Sequence, residues 1–484
     1  MLNQQQRPLA RYLLFICTGW CAVAQLKTPE AHSKLALSIE DAVAMGLQKS
    51  QDIRIAASQS REGATSITIA KSVFYPNINA SFDYSRTVAM QVFNFPAGFN
   101  LGGLGLPFGQ ANSYTFGLSY SLPLFRPGIF RGVQIAKDYY QSAKDQETEV
   151  QLNTVLNICE TYYGGLLAYR LAEIAQVQID QLEAQLKDIR LQKQAGNASD
   201  LDVSRVEVNR ENVAPQLSDA LNARDNSLLQ LKRLINVPLN TELVLTDQLK
   251  AEGFKALPET EVAELTSRKT TQRAAVRAAE RLNRIRTAEI KQAKAAYLPS
   301  ADINGNIGEF AYPADLFPRK SDWQDNWTIG FHVTIPVFAG GQRVARVRAA
   351  QERLEQAQLQ LESLLLSVQA DTEYWRTKLK REEDLIVTRG RASQQASRAY
   401  DLTELSYKQG TATHLDLTDA RTSLRLARAN EVQTVHDYYT AYLRLIRSVG
   451  VPPGNFTRIQ SLSSHQTFPG STNAPAQPRK ETKP

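Results

Sequence analysis

Two acidic motifs that follow glycine residues contain the side chains whose type and spacing most suggest a specific role. Asp202 ends the segment Gly196-Asn-Ala-Ser-Asp-Leu-Asp202, and Asp416 ends the segment Gly410-Thr-Ala-Thr-His-Leu-Asp416, with Asp419 three residues later. Glycine often terminates a helix, and an acid in the first turn of the next helix accepts hydrogen bonds from unpaired backbone N–H groups. From the residues alone, we interpret these carboxylates as solvated or helix-capping groups.

The other reactive side chains show no catalytic or metal-binding pattern. Cys159 has no cysteine partner in its predicted helix and is expected to be a small packing residue. The glycine-rich segment 102–109 is followed by no Lys-Ser or Lys-Thr, so it is not a phosphate-binding loop. The histidines are scattered without metal-ligand spacing: His32, His332, His414, His436 and His465. We therefore expect neither enzymatic activity nor a bound metal or cofactor.

The two halves of the chain share the same landmarks in the same order. Asp202 and Asp416 are 214 residues apart, as are Pro238 and Pro452. The sequence predicts a first repeat over 37–240, with a helix at 38–72, strands at 76–90 and 112–123, and helices at 130–195 and 200–235. It predicts a second repeat over 258–453, with a helix at 260–296, strands at 299–311 and 326–337, and helices at 342–409 and 414–449.

The predicted helices carry narrow apolar stripes. In one of them the apolar residues recur at intervals of three, four and seven: Leu354, Leu361, Leu365, Val368, Trp375 and Leu379. This spacing is typical of coiled coils, and a helix over 130–195 would be about 100 Å long at 1.5 Å per residue. Pro215 falls inside a predicted helix, which we expect it to kink or interrupt.

The four predicted strands alternate apolar and small polar residues. Their apolar members are Ile78, Ala80, Phe82 and Tyr84; Tyr114, Phe116, Leu118, Tyr120 and Leu122; Ala301, Ile303 and Ile307; and Trp327, Ile329, Phe331, Val333 and Ile335. Segments of about ten residues with one apolar face cross a bilayer when they are tilted, although a half-buried soluble sheet alternates in the same way.

The two termini have compositions unlike the rest of the chain. Residues 1–24 are typical of a secretory signal peptide, with Arg7 and Arg11 before the apolar run Tyr12–Val23 and a small-residue site ending at Ala24. Residues 457–484 are rich in Ser, Pro, Thr, Gln and Lys, and are expected to be disordered. Removal of the signal peptide would leave 54 basic against 49 acidic residues. With this mild charge and an export signal, we expect no nucleic-acid partner.

A four-stranded sheet cannot span a membrane unless its two edge strands pair with strands of other chains. In lipid every backbone N–H and C=O group must be paired, so a sheet edge cannot face hydrocarbon. Two copies would supply eight strands and three copies twelve, and an open duct favours three or more.

These patterns together resemble the TolC family of outer-membrane efflux proteins, over about 37–453. The likeness rests on short ordered motifs: Leu37-Ser-Ile-Glu-Asp-Ala42, Ala296-Tyr-Leu-Pro-Ser300, Ile335-Pro-Val-Phe338, Gly340-Gly341 and Tyr407-Lys-Gln-Gly-Thr411. The resemblance implies an α+β membrane protein that forms a homotrimer. Its twelve-stranded β-barrel, four strands per chain, would continue as a long α-helical coiled-coil barrel in the periplasm.

The same resemblance implies a function in the cell outer membrane. Members of the family are passive exit ducts of tripartite efflux or type I secretion systems. A periplasmic adaptor protein and an inner-membrane transporter, of RND, ABC or MFS type, open the periplasmic end. The alternatives are a periplasmic adaptor (membrane fusion) protein and a soluble periplasmic coiled-coil protein. The two predicted hairpins argue against an adaptor, which would have one.

The resemblance also suggests roles for particular residues. Asp416 and Asp419 match the ring of aspartates that constricts the periplasmic mouth, Asp202 matches the counterpart of this aspartate in the first repeat, and Tyr407 matches a tyrosine of the constraining network. Such a ring, multiplied by three-fold symmetry, favours cations. Ala412 occupies the position of a basic residue in that network, and His414 is a hypothetical substitute. The residues matching the helical tips, where an adaptor would dock, are Gly196, Asn197, Gly410 and Thr411.

Overall fold

The computed structural model describes residues 34–89, 91–93, 106–108, 110–249, 262–263 and 273–451. The predicted signal peptide and the predicted disordered tail lie outside these residues.

The chain runs through the same order of elements twice. The first half contains β1 (Lys34–Leu37), α1 (Ile39–Lys49), α2 (Gln51–Ser72), β2 (Asn77–Arg86), β3 (Gln91–Phe93), β4 (Leu106–Phe108), β5 (Asn112–Phe125), α3 (Pro127–Gln194), α4 (Asp200–Leu234) and β6 (Glu242–Leu245). The second contains α5 (Ala274–Ala295), β7 (Ser300–Ala311), β8 (Trp323–Thr334), α6 (Gln342–Lys408) and α7 (His414–Val449). Each half thus has two strands of ten or more residues, then a long helix, a tight turn and a shorter helix. The internal repeat is visible in this order.

The long helices α3 and α6, of 68 and 67 residues, each fold back on the helix that follows. In the first hairpin a narrow seam joins Ala175, Leu182 and Ile189 of α3 to Val206 and Val213 of α4. This is the packing that the three-and-four spacing of a coiled coil produces. No helix in the described ranges is both long and apolar enough to cross a membrane.

The main apolar core lies where the middle of α3 meets the ends of the returning helices. Its most buried side chains include Ile158 and Tyr162 of α3, Leu231 of α4, and Val435 and Leu443 of α7. Beside it, β1 and β6 form a parallel two-stranded pair that joins segments 208 positions apart. The Tyr162 hydroxyl donates to the Asp247 carboxylate at 2.7 Å, which fixes the segment after β6 against α3.

The helix predicted over 38–72 is two helices, α1 and α2, separated at Ser50. Ser50 is 2% exposed and has an extended backbone, with ψ of 132°. On one side of the break α1 buries Ala42 and Val43 in the main core, and on the other side α2, which also packs on α3, buries Ile53 and Ala56.

Pro215 does not interrupt α4, which continues from Asp200 to Leu234. The residue is exposed, so the carbonyl that loses its usual N–H partner can accept a hydrogen bond from water. In the second repeat, the described parts of the helix predicted over 260–296 are residues 262–263 and α5, and residues 260–261 and 264–272 lie outside the description.

The main sheet has the antiparallel order β2-β5-β7-β8. Its register places the apolar residues of all four strands on one face. We call a set of residues paired directly across the four strands a rung, and two rungs of this face are Ile78–Tyr120–Gly305–Ile329 and Ala80–Leu118–Ile307–Trp327. The opposite face carries small polar rungs such as Asn79–Ser119–Asn306–Thr328. The two repeats meet at the centre of the sheet, between β5 and β7, and β2 and β8 are its edges.

Candidate functional site: the hairpin tips and the residues that join them

Both hairpin tips turn at a glycine with a left-handed backbone. Gly196 has φ of 81° and Gly410 has φ of 76°. At each turn the residue after the glycine donates its N–H back into the helix, Asn197 to Gln192 O (2.8 Å) and Thr411 to Ser406 O (2.9 Å). This pattern ends a helix with its last carbonyl groups paired. The four predicted tip residues are therefore exposed on two short, well-defined turns.

Asp202 and Asp416 are both third residues of capping boxes. Asp202 accepts hydrogen bonds from the Ser199 N–H (3.1 Å) and hydroxyl (2.7 Å), at the start of α4. Asp416 accepts the equivalent bonds from Thr413, at 2.8 and 2.6 Å, at the start of α7. These hydrogen bonds lower the pKa of both carboxyl groups, so both carry a full negative charge at neutral pH. The capping role suggested by the sequence is thus present.

The remaining predicted residues lie around the second tip. Asp419 is exposed on α7, one turn beyond Asp416. Tyr407 is in the last turn of α6, with its ring centroid 6.1 Å from that of His414. Asp202 of the first hairpin is close enough to His414 to influence its titration. The fold therefore brings Asp202, Tyr407 and His414 into one neighbourhood, whereas Asp419 faces solvent separately.

A buried glutamine joins the two hairpins a little above the tips. Gln185 of α3 is 9% exposed, and its amide nitrogen lies 2.8 Å from Nδ1 of His414. Its amide oxygen accepts a hydrogen bond from the guanidinium of Arg421, on α7. Further up α7, Arg425 donates to the amide oxygen of Gln216 on α4 at 2.6 Å. Side chains from both repeats thus form a polar link between the two coiled coils of one chain.

The sequence contains a signal for this link in the buried stripe of α3. Gln178 and Gln185 occupy the same stripe of α3 as Ala175, Leu182 and Ile189, at intervals of three and four residues. A polar residue at a seam position of a coiled coil costs stability and commonly specifies a partner or a register. Two such residues seven positions apart therefore mark the surface where a second helix supplies polar groups.

His414 is not the positive charge that the missing basic residue at Ala412 would have supplied. Burial lowers the pKa of His414 below its usual 6.5, and the nearby Arg421 and Arg205 add to this effect, against the opposing charge of Asp202. The imidazole is therefore neutral at pH 7. Arg421 and Arg205 are the cations near this ring, and Arg421 also stacks over the Tyr400 ring at 5.8 Å.

The exposed apolar face of the sheet is the second functional surface. Trp327, Ile329 and Phe331 of its edge strand are 65–79% exposed. At the loop end of this face, Tyr84, Tyr114 and Trp323 form an aromatic cluster, with ring centroids 4.6 Å apart for the first pair and 6.5 Å for the second. Such a face, in water, would drive association or insertion into lipid.

The described residues contain no group of three or more His, Cys, Asp or Glu side chains that could hold a metal ion. Cys159 is 1% exposed in the main core, and burial raises the pKa of its thiol to about 12. The thiolate, which is the reactive form, is therefore not populated at neutral pH. Its position is that of the packing residue predicted from the sequence.

The chain is similar to known outer-membrane proteins along most of its length. The outer membrane efflux protein family matches residues 43–237 and 265–451. Outer membrane protein TolC of Vibrio cholerae serotype O1 is 22% identical over 368 residues, which cover 76% of this chain and 83% of that protein. The alkaline protease secretion protein AprF of Pseudomonas aeruginosa is 24% identical over 362 residues, 70% of each protein.

A solved structure has the same fold. The Campylobacter jejuni CmeC outer membrane channel superposes with a TM-score of 0.73 at 18% identity, covering 88% of this chain and 89% of that one. The predicted fold class and the resemblance stated from the sequence motifs are confirmed by these matches. Because the family matches both repeats and the fold is that of a solved channel, this chain belongs to the outer membrane efflux protein family.

Proposed function

We propose that three copies of this chain form a passive exit duct in the outer membrane, as the outer component of a tripartite efflux or secretion system. The observation that carries the proposal is the register of the four-stranded sheet, which separates an apolar face from a polar face. The adaptor and soluble coiled-coil alternatives are excluded by the family assignment.

The height of the apolar face suits a membrane barrel. From Trp323 to Val333, β8 advances ten residues, or about 33 Å at 3.3 Å per residue. At a tilt of about 40° this corresponds to about 25 Å, the height of the lipid-facing band of outer-membrane barrels. The aromatic cluster of Tyr84, Tyr114 and Trp323 lies at one margin of the band, where aromatic girdles are found. One rung inside this margin the acidic pair Glu309 and Asp325 lies on the same face and interrupts the apolar band.

Two open edges, β2 and β8, make association of several chains necessary. Neither edge can face hydrocarbon, because its N–H and C=O groups would be unpaired there. Pairing of β8 of one copy with β2 of the next satisfies both edges. Three copies give twelve strands, which leave an aqueous interior, whereas the eight strands of two copies would be filled by side chains.

The polar face supplies a wall suited to passive transport. Its residues are mainly hydroxyl and amide side chains, including Ser119, Asn304, Asn306 and Thr328. Such groups exchange hydrogen bonds with water without holding a solute tightly. Selection of cargo would therefore rest with the transporter, of RND, ABC or MFS type, rather than with the duct.

The hairpin tips form the periplasmic mouth in this arrangement. Asp416 and Asp419 would form its negative ring, and Asp202 and Tyr407 lie beside it. Gly196, Asn197, Gly410 and Thr411 are the exposed turns available to an adaptor. With Ala412 in place of the family's basic residue, the contacts of Gln185 with Arg421 and His414, and of Arg425 with Gln216, would hold the two coils of each chain together near the mouth.

The test uses the protein extracted from outer membranes in detergent. We expect a heat-modifiable trimer that forms cation-selective channels in planar bilayers. Asp419→Asn should reduce the cation selectivity, because Asp419 is exposed and has no capping role. The control is Asp371→Asn, which removes an equal charge from an exposed position on α6 far from the tip. A monomer that stays in solution without detergent would contradict the duct, and unchanged selectivity in Asp419→Asn would remove this residue from the mouth.

A further inference from the structure

A cavity of about 130 Å³ lies between the two hairpins, about two turns of helix beyond the Gln185 link. Its walls come from α3, which supplies Arg170, Glu173 and Gln178, from Tyr400 of α6, and from α7. On α7 three arginines face it at positions 421, 425 and 428. Intervals of four and three residues place these side chains on one face of the helix.

The charge in this cavity is unbalanced. Glu173 is the single acidic residue of the lining, and it pairs with Arg170 on its own helix. Arg421 and Arg425 use one guanidinium nitrogen each on the neutral amides of Gln185 and Gln216. Among the ion pairs of the described residues, none joins Arg421, Arg425 or Arg428 to a carboxylate. The lining therefore carries a net charge of about +3, by the usual ionisation of these groups.

Several polar atoms of the lining residues are buried without a partner. The Nε atoms of Arg421 and Arg425 are buried donors with no acceptor, and Oε1 of Gln178 is a buried acceptor with no donor. Gln178 is 8% exposed, and a half-turn of its amide would present N–H groups in place of the oxygen. Burial lowers the pKa of Arg425, which reflects the cost of removing its charge from water. An acceptor with a negative charge would offset that cost.

We propose that this cavity binds a small oxyanion of the phosphate or sulfate class, held by Arg421, Arg425 and Arg428. The volume is sufficient for an ion of this kind, since a liquid water molecule takes about 30 Å³. Several oxygens on one ion can accept from more than one guanidinium at once, which a single chloride does less well. The bound ion would lie between α3 and α7, and so would stabilise the arrangement in which the two hairpins are in contact.

The test is isothermal titration of the detergent-extracted full-length protein with inorganic phosphate, in chloride buffer at constant ionic strength. We expect saturable binding at one site per chain. Arg425→Gln and Arg428→Gln should each weaken it about tenfold, the effect of losing one hydrogen bond to a charged group. Arg391→Gln is the matched control, because it removes the same charge from an exposed position on α6 outside the cavity.

Arg428 is exposed, so its replacement should leave folding intact even if Arg425→Gln proves unstable. Absence of saturable phosphate binding by the unchanged protein would overturn the proposal. Equal affinities in Arg428→Gln and Arg391→Gln would also overturn it, because the ion would then be attracted only by the overall charge. Neither result bears on the trimeric duct, which the channel measurements test separately.

Discussion

Gln185 on α3 accepts a hydrogen bond from Arg421 on α7, although the two residues are 236 positions apart in the chain. The bond crosses from the first repeat to the second, and it lies near the tips where the two coiled coils must separate if the mouth is to widen. In the duct proposed above, this bond would favour the arrangement in which the mouth is narrow.

Gln185→Leu should shift the channel toward its open form. A hydrogen bond to a charged group contributes about 1.5–3 kcal/mol, so its loss should raise the open fraction about tenfold or more. The open fraction is measured from single-channel records in planar bilayers. Gln194→Leu, at an exposed position near the end of α3, is the control and should behave like the unchanged protein. Equal open fractions in both variants would show that the link does not hold the mouth.

Acidification should weaken the same contact through His414. The folded protein holds the pKa of His414 below its ordinary 6.5, so the neutral ring is favoured in the closed form. Its contribution is complete above pH 6.5 and is lost as the pH falls through the lower folded value. We expect the open fraction to rise between pH 7.5 and 5, and to rise less in His414→Gln. An identical pH profile in the variant would assign the change to another group.

Replacement of the glycine in the left-handed turn at the second tip should destabilise the hairpin. Gly410→Ala should destabilise the hairpin by about 1 kcal/mol, because a Cβ disfavours positive φ even in open space. Gly132→Ala is the contrasting control, since Gly132 lies inside α3 with open space around it and should gain about 1 kcal/mol of helix stability. Thermal midpoints of the extracted proteins measure both. A midpoint unchanged in Gly410→Ala would mean that the turn relaxes at no cost.

A charged side chain should reduce trimer yield when it is placed on the apolar face of the sheet, and should be tolerated on the polar face. Ile329→Arg places a cation in the middle of the apolar face, where it should cost about 2–4 kcal/mol and reduce trimer yield in the outer membrane. Thr328→Arg places the same side chain on the polar face of the same strand and should be tolerated. Trimer yield is read from heat-modifiable bands on gels. Equal yields would assign the apolar face to something other than lipid.

A buried group of ion pairs between α3 and α5 should contribute far more to the stability of the protein than an ion pair on the surface. Asp145 is 7% exposed and accepts from Arg277 at 2.9 Å and Arg281 at 2.6 Å. Asp145→Ala leaves guanidinium charges in a partly buried position and should destabilise the protein by about 3–5 kcal/mol. Glu207→Ala breaks the exposed pair with Arg190 and should cost less than about 1 kcal/mol. Thermal midpoints compare the two variants.

The strand faces were predictable because their signal is local. Alternation within ten residues assigns each side chain to a face, and pairing of four such strands brings like faces together. The pair of β1 with β6 was missed, since four-residue strands 208 positions apart carry too little local signal. The break at Ser50 was also missed, because the apolar residues on its two sides continue one helical pattern and Ser50 itself is no strong helix breaker.

The candidate site was predictable only in part, for the same physical reason. Asp202 and Asp416 could be recognised as capping acids because the Ser or Thr to which each one bonds lies only three positions earlier in the sequence. The structure places both acids in that role. Arg421 could not be recognised, because it acquires its role only when α7 packs against Gln185. The neutral state of His414 likewise depends on burial by other helices rather than on its neighbours in sequence.

The junction of the repeats inside the sheet has a consequence for the symmetry of the ring. Within one chain, the second strand of the first repeat, β5, pairs with the first strand of the second repeat, β7. Between copies, the second strand of the second repeat, β8, would pair with the first strand of the first repeat, β2. At both junctions the second sheet strand of one repeat would pair with the first sheet strand of the next repeat. A ring of three chains would therefore be arranged like a ring of six repeats. The proposed twelve-stranded cylinder would therefore have approximate six-fold symmetry, in which junctions within a chain alternate with junctions between chains.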